Sequence, residues 1–178
     1  RLRHIMAAPV SRAAARIQGP LILALGEAPA DLRFFFEMLV RLAPDITTVR
    51  ALCRACEVRP STLMSRFSRA GLPSPKSYLA SVRLLHAAHL LEAPGRSIAD
   101  VAYRLEYSSP QSFGRHVRAM LGITSLEFRR RFPFPAALAR FLELMILPYG
   151  GVWPVFHPLE TGSWDSGHCL AVQAPPPH

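Results

Sequence analysis

Lysine is nearly missing from this chain. Lys76 is the one lysine among 21 basic residues, and no function attaches to that imbalance. Cysteine is scarce as well, and the three present are an odd number, which argues against a disulfide framework. No apolar run reaches the roughly 18 residues that a membrane span needs. Strand-like alternation is rare, which leaves little from which to build a sheet. Nothing near Arg1 has the order of a cleavable signal, so a cytoplasmic setting is the simplest expectation. No nucleophile with a base, paired carboxylates or glycine-rich phosphate loop stands out, and an enzyme is not expected.

Half of the residues are hydrophobic, ample for a core. The length predicts one domain, or one domain with appendages. Net charge is +9, and its location says more than its size. Between Thr47 and Phe132 stand fourteen Lys or Arg against five Asp or Glu, while the rest of the chain holds seven of each. A polyanionic partner follows, nucleic acid before membrane, because the cations are spread over short helical stretches.

The most informative stretch runs from Ser97 to Gly122. Ser97 is a good N-cap, and Ile98, Val101, Ala102 and Leu105 follow at helical spacing. Glu106 to Ser109 breaks that stripe, and Pro110 suits the first position of a new helix. Phe113, Val117, Met120 and Leu121 form a second stripe, with Gln111, Ser112 and Arg115 on the opposite side. Two short helices across a tight turn, the second with a polar outer face, make a helix-turn-helix pattern.

The pattern occurs twice. Thr47 or Thr48 caps a stripe of Val49, Leu52, Cys53 and Cys56, Glu57 to Arg59 breaks it, and Pro60 opens a helix burying Leu63, Phe67 and Ala70. Ser61, Thr62, Ser65 and Arg69 face away. Leu63 and Phe113, Phe67 and Val117, Leu72 and Gly122, Ser74 and Thr124, Tyr78 and Phe128 are each 50 residues apart, and Glu57 and Glu106 are 49 apart. A repeat matching in stripe, turn and following cap is far more specific than a lone helix-turn-helix. The first unit spans 47–70 and the second 97–121, joined by a linker helix over 75–93 that Pro94-Gly95 stops.

The flanks are less regular. Residues 1–30 read as an irregular segment, with a short helix around Ser11–Ile17 and Pro20–Leu25 as a strand or buried turn. Residues 31–46 hold a flanking helix with Leu32, Phe35, Phe36, Leu39 and Val40 on one side. Thr124 to Glu127 is a capping box for a short helix ending in Arg129, Arg130 and Arg131, which Pro133 and Pro135 terminate. An apolar helix over 133–147 follows, and 148–178, ending in PPPH, is expected to be a disordered tail.

With both copies in view, 47–132 resembles the DNA-binding domain of the AraC/XylS family of bacterial transcription regulators. The residues that carry the resemblance are Pro60, Leu63 and Phe67; Ser74-Pro75 with Tyr78-Leu79; Arg83-Leu84 with Ala87 and Leu90-Leu91; then SIADVAYRL, Tyr107-Ser108-Ser109, Phe113, Arg115 and Gly122. It implies an all-α fold of two helix-turn-helix units on a rigid linker helix, with extra flanking helices. It also implies two recognition helices in successive major grooves of double-stranded DNA, matching a groove repeat of about 34 Å. Glu57 and Glu106 depart from the family, which places Gly in each turn, and Thr124-Ser125 replaces a usual Ser-Pro.

The resemblance places base contacts at Gln111, Ser112 and Arg115, with a weaker set at Ser61, Met64 and Ser65. Gln reads adenine and Arg reads guanine, each pair worth roughly 1–3 kcal/mol of discrimination. Arg66, Arg69, Arg118, Arg129 and Arg130 are expected to reach phosphates, since long cations beside a recognition helix meet the backbone first. RNA polymerase or a second copy of the chain are further candidate partners, and no cofactor or small-molecule effector is evident. Cys53 and Cys56 form a CxxC, but inside a helical stripe with no second pair, so core thiols are expected over a zinc site. The competing reading is a helix-turn-helix that has lost DNA and serves protein–protein contact, with Glu57 and Glu106 as its marks.

Overall fold

The computed structural model describes residues 11–159, and among them every regular element is helical. Two helices precede the repeat, α1 (Arg12–Leu25) and α2 (Ala30–Leu42). The first unit is α3 (Val49–Ala55) and α4 (Pro60–Arg69), and the linker is α5 (Pro75–Leu91). The second unit is α6 (Ile98–Arg104) and α7 (Pro110–Leu121), followed by α8 (Ser125–Arg131) and α9 (Phe134–Phe141). A π-helical turn at Leu142–Ile146 and short 3-10 turns at Leu147–Tyr149 and Trp153–Val155 close the described chain.

Local chemistry explains the boundaries. Thr48, Ser74, Ser97, Ser109 and Thr124 each accept a hydrogen bond from a first-turn N–H of the helix they open. At Ser97 and Thr124 the third helical residue, Asp100 or Glu127, reaches back to the cap N–H, so both are complete capping boxes. Pro60, Pro75 and Pro110 occupy first-turn positions where no N–H is missed.

The flanks differ from the expectation of irregular ends. Residues 12–25 form a single helix, capped by Ser11, whose Oγ accepts the Ala14 N–H at 3.1 Å. Ala14, Ile17, Leu21 and Leu25 bury one face, while Gly19 and Pro20 lie on the exposed side. Those two helix-breakers disguised the stripe, and packing of the opposite face overrode them. Pro133 and Pro135 follow the end of α8 at Arg131, as expected, and also open α9.

The expected tail is also ordered as far as residue 159. Trp153 is wholly buried and donates its indole N–H to Ile146 O at 2.8 Å. Phe156 meets Phe67 edge-on at 4.9 Å, and Leu159 N–H donates to the buried Asp31 carboxylate at 3.1 Å. Large aromatics hold this segment where a polar tail would have stayed solvated. Residues 160–178, PPPH included, lie outside the described residues.

Both units pack on α5, whose Val82 to Ala88 are all buried. Arg83 is among them, 4 % exposed. Its guanidinium donates to Ala43 O at 2.7 Å, to Ile46 O and to Leu105 O, and lies over the Tyr107 ring. Ala43 and Ile46 lead into the first unit, whereas Leu105 and Tyr107 flank the turn of the second. His86, one helical turn on, shares a hydrogen bond of 2.9 Å between its Nε2 and Val40 O.

The two helix-turn-helix turns are Schellman motifs with Glu in the left-handed position. Glu57 has φ 53° and Glu106 has φ 57°. Val58 N–H donates to Cys53 O and Tyr107 N–H to Ala102 O, both at 3.0 Å, which is the six-to-one bond of that motif. At the ends of the recognition helices the left-handed residues are Gly71 and Gly122, 51 apart, so the repeat there pairs Gly122 with Gly71 rather than Leu72. The second recognition helix is two residues longer, 12 against 10.

Two stability measurements follow. Replacing Arg83 with Met strands three carbonyls, and a loss of roughly 3 kcal/mol or more is expected in urea denaturation. Arg83→Lys should recover little, because an ammonium lacks the fork that reaches both units. Glu106→Gly should instead stabilise the fold by up to about 1 kcal/mol, by removing the left-handed strain of a residue with a Cβ. Glu106→Ala keeps that strain and should show no such gain.

Candidate nucleic-acid interface

Each recognition helix buries one stripe and leaves the other face to solvent. In α4 the buried residues are Leu63 and Phe67; in α7 they are Phe113 and Val117, at matching positions. Ser61, Ser65 and Arg69 are exposed on α4, and Met64 beside them is 41 % exposed. On α7 the exposed set is Gln111, Arg115 and Arg118. Arg129, Arg130 and Arg131 are exposed in the last turn of α8.

Ser112 is half-buried and tied into its own helix. Its N–H donates to Ser109 Oγ at 3.1 Å, and its hydroxyl lies 2.9 Å from Ser108 Oγ. The same hydroxyl accepts from Arg115 Nη2 at 2.9 Å. Ser112 thus orients the Arg115 guanidinium. Gln111 is exposed and makes no side-chain hydrogen bond among the described residues.

Arg66 departs from the phosphate set. It is half-buried, and its guanidinium donates to Pro158 O at 2.9 Å, so the C-terminal segment engages it. No pattern in α4 itself signals that contact, because the partner lies 92 residues away.

A groove of about 820 Å³ runs between the two units. Pro60 and Met64 of α4 line one side, Ser112 and His116 of α7 the other, with Lys76 and Arg83 of α5 between. Both recognition helices therefore border one groove on one side of the molecule. Glu106 also lines it, placing a carboxylate beside the cations.

His116, Tyr107 and Arg83 form a relay that the sequence reading did not single out as a group. The Tyr107 hydroxyl hydrogen-bonds His116 Nδ1, and His116 Nε2 is buried with no partner among the described residues. Burial, with the Arg83 charge nearby, pushes His116 down to about 4, so the ring is neutral at pH 7. His86 is likewise held down to about 4, chiefly by burial. The available signal was Arg83 and His86 inside the otherwise apolar stretch 82–88, where a charged or polar residue needs a buried partner.

Cys53 and Cys56 are buried in the core. Burial raises both thiols, Cys56 to about 12 with a further contribution from Cys53. A thiol held protonated in this way is an inert core residue rather than a nucleophile or ligand. No group of three or more His, Cys, Asp or Glu side chains gathers as a metal site among the described residues. No described helix is long and apolar enough to cross a membrane.

The paired units, the linker and the shared groove define a helix-turn-helix protein. Comparison with known families agrees: residues 52–131 match the family described as "Helix-turn-helix domain". That stretch is similar to helix-turn-helix domains of the AraC type. Among curated proteins, the chain is similar to the lactose operon transcription activator of Staphylococcus xylosus, 28% identical over 85 residues. The match covers 48% of this chain and 30% of that protein, so the chain spans less than a third of that relative's length. No solved structure matches.

The two depressed histidines set a pH dependence. Each has an ordinary value of 6.5 and a folded value near 4, so the unfolded chain takes up protons that the folded chain refuses. Stability is full above about pH 6.5 and falls as pH drops toward 4, by up to about 1.4 kcal/mol per pH unit for each histidine. Urea midpoints at pH 7, 6 and 5 should show that decline, and His116→Gln should flatten about half of it.

Proposed function

We propose that this chain is a sequence-specific transcription regulator that sets α4 and α7 into successive major grooves on one face of a DNA duplex. The observation that carries the reading is the common groove, bordered by Pro60 and Met64 on one side and Ser112 and His116 on the other. Helices held on one face of a rigid linker suit two grooves about one helical turn apart. The match to a transcription activator supports regulation as the role.

Readout in this proposal leans on α7. Gln111 and Arg115 are the base readers, and Ser112 fixes the direction of Arg115 through its hydroxyl. Ser61 and Ser65 contribute weaker contacts from α4. Arg69, Arg118, Arg129 and Arg130 neutralise phosphates, while Arg66 is held by Pro158. The charge excess of 47–132 supplies the long-range attraction.

Arg115→Ala should weaken binding by about 1–3 kcal/mol and relax preference at one base pair. Arg130→Ala should weaken all sequences alike and lower the slope of log affinity against log salt by about one. Gel-shift titrations at several salt concentrations separate the two effects. Unchanged affinity and unchanged preference in Arg115→Ala would remove α7 as the reading helix.

A further inference from the structure

A second cavity, of about 170 Å³, lies away from the groove, between α5, the end of α7, α8 and α9. Leu84, Met120, Phe128, Phe141 and Leu144 are typical of its walls, which are almost entirely apolar. Arg140 is the sole charged residue that lines it, exposed and 6.0 Å from the Phe132 ring centre. No carboxylate lines the cavity, and Arg140 makes no ion pair among the described residues.

Three features separate this from a packing defect. It is half open to solvent, so a ligand can enter, and its volume of about 170 Å³ is enough for a single ring. Leu144 and Met145, which line it, belong to the π-helical turn Leu142–Ile146, and such turns recur at functional sites. Met120 and Leu144 keep 36 % and 52 % of their surface in water, apolar area that a ligand would cover.

We propose that this cavity is a binding site for a small organic acid, with a body the size of one ring and a carboxylate set against Arg140. The ring fills the space between Leu84, Phe128 and Phe141. The carboxylate meets the one cation at the rim and stays partly in water, so its desolvation is limited. An occupant touches the linker helix, the end of α7 and the C-terminal helix at once. It would brace the second unit against the linker. The proposal concerns binding to the protein alone and stands apart from the reading of DNA.

Calorimetric titration of the full chain without DNA tests it, using phenylacetate, with toluene and acetate as the ring and the charge alone. Phenylacetate should bind saturably with a Kd of ~1 mM or tighter and raise the thermal midpoint, while acetate gives no heat of binding. Arg140→Gln, an exposed substitution, should weaken phenylacetate about tenfold and leave toluene unchanged, the factor that one lost charge-assisted contact of about 1.4 kcal/mol implies. Ala137→Leu, which fills the cavity from α9, should weaken both ring compounds. Failure of phenylacetate to saturate the wild-type chain, or an affinity that Arg140→Gln leaves unchanged, would overturn the proposal.

Discussion

One buried guanidinium links the two halves of the repeat. Arg83 sits in the middle of α5 and donates to carbonyls on both sides, Ala43 and Ile46 before the first unit and Leu105 inside the second. Burying such a charge is costly unless its donors find acceptors, and here backbone oxygens from two separated stretches accept from both terminal nitrogens. Only the fork of an arginine spans that arrangement. The same group covers Tyr107, which holds His116 on the recognition helix, so the anchor extends from the linker to α7 through two contacts. Arg83 thereby adds a polar tie between the two units to the packing of both on α5.

The ends of the described chain reinforce this frame. Arg16 of α1 pairs with Glu92 at 2.6 Å and lies over Phe134, joining the first helix to the end of α5 and the start of α9. Tyr78 donates its hydroxyl to Met145 O at 3.0 Å, and Asp31 accepts from Leu159 N–H and pairs with His157. Phe35, Phe36, Phe67, Tyr78, Trp153 and Phe156 meet as one aromatic cluster. The first unit is therefore wedged between α2 and the C-terminal segment, whereas no described residue covers the exposed face of α7.

Much of this was legible in the residues. The two stripes, the caps at Ser74, Ser97 and Thr124 and the 50-residue offset are local signals, and the helices stand where those signals lie. The glutamates in the turns were legible too: a position that favours Gly is occupied by Glu57 and Glu106 at positive φ. What stayed hidden depends on distant contacts. Pro20 and Gly19 masked α1, because burial of Ile17 and Leu21 against other helices outweighs two weak helix formers. Trp153 and Phe156 read as part of a Pro-rich tail until their partners in α2 and α4 were known. Arg66 looked like a phosphate ligand because nothing in α4 reveals Pro158. The cavity between α5, α7, α8 and α9 arises from four elements together, so no one stretch announces it.

The central claim is that two recognition helices, fixed by Arg83, read one face of a duplex in adjacent grooves. Selection of bound sequences from a random DNA pool tests it most directly. The account predicts enrichment of a motif with two clusters of preferred positions about 10 base pairs apart, the stronger set by Gln111 and Arg115. Enrichment of a single short cluster would contradict the paired reading, and a bound pool no different from the input would contradict sequence-specific recognition altogether.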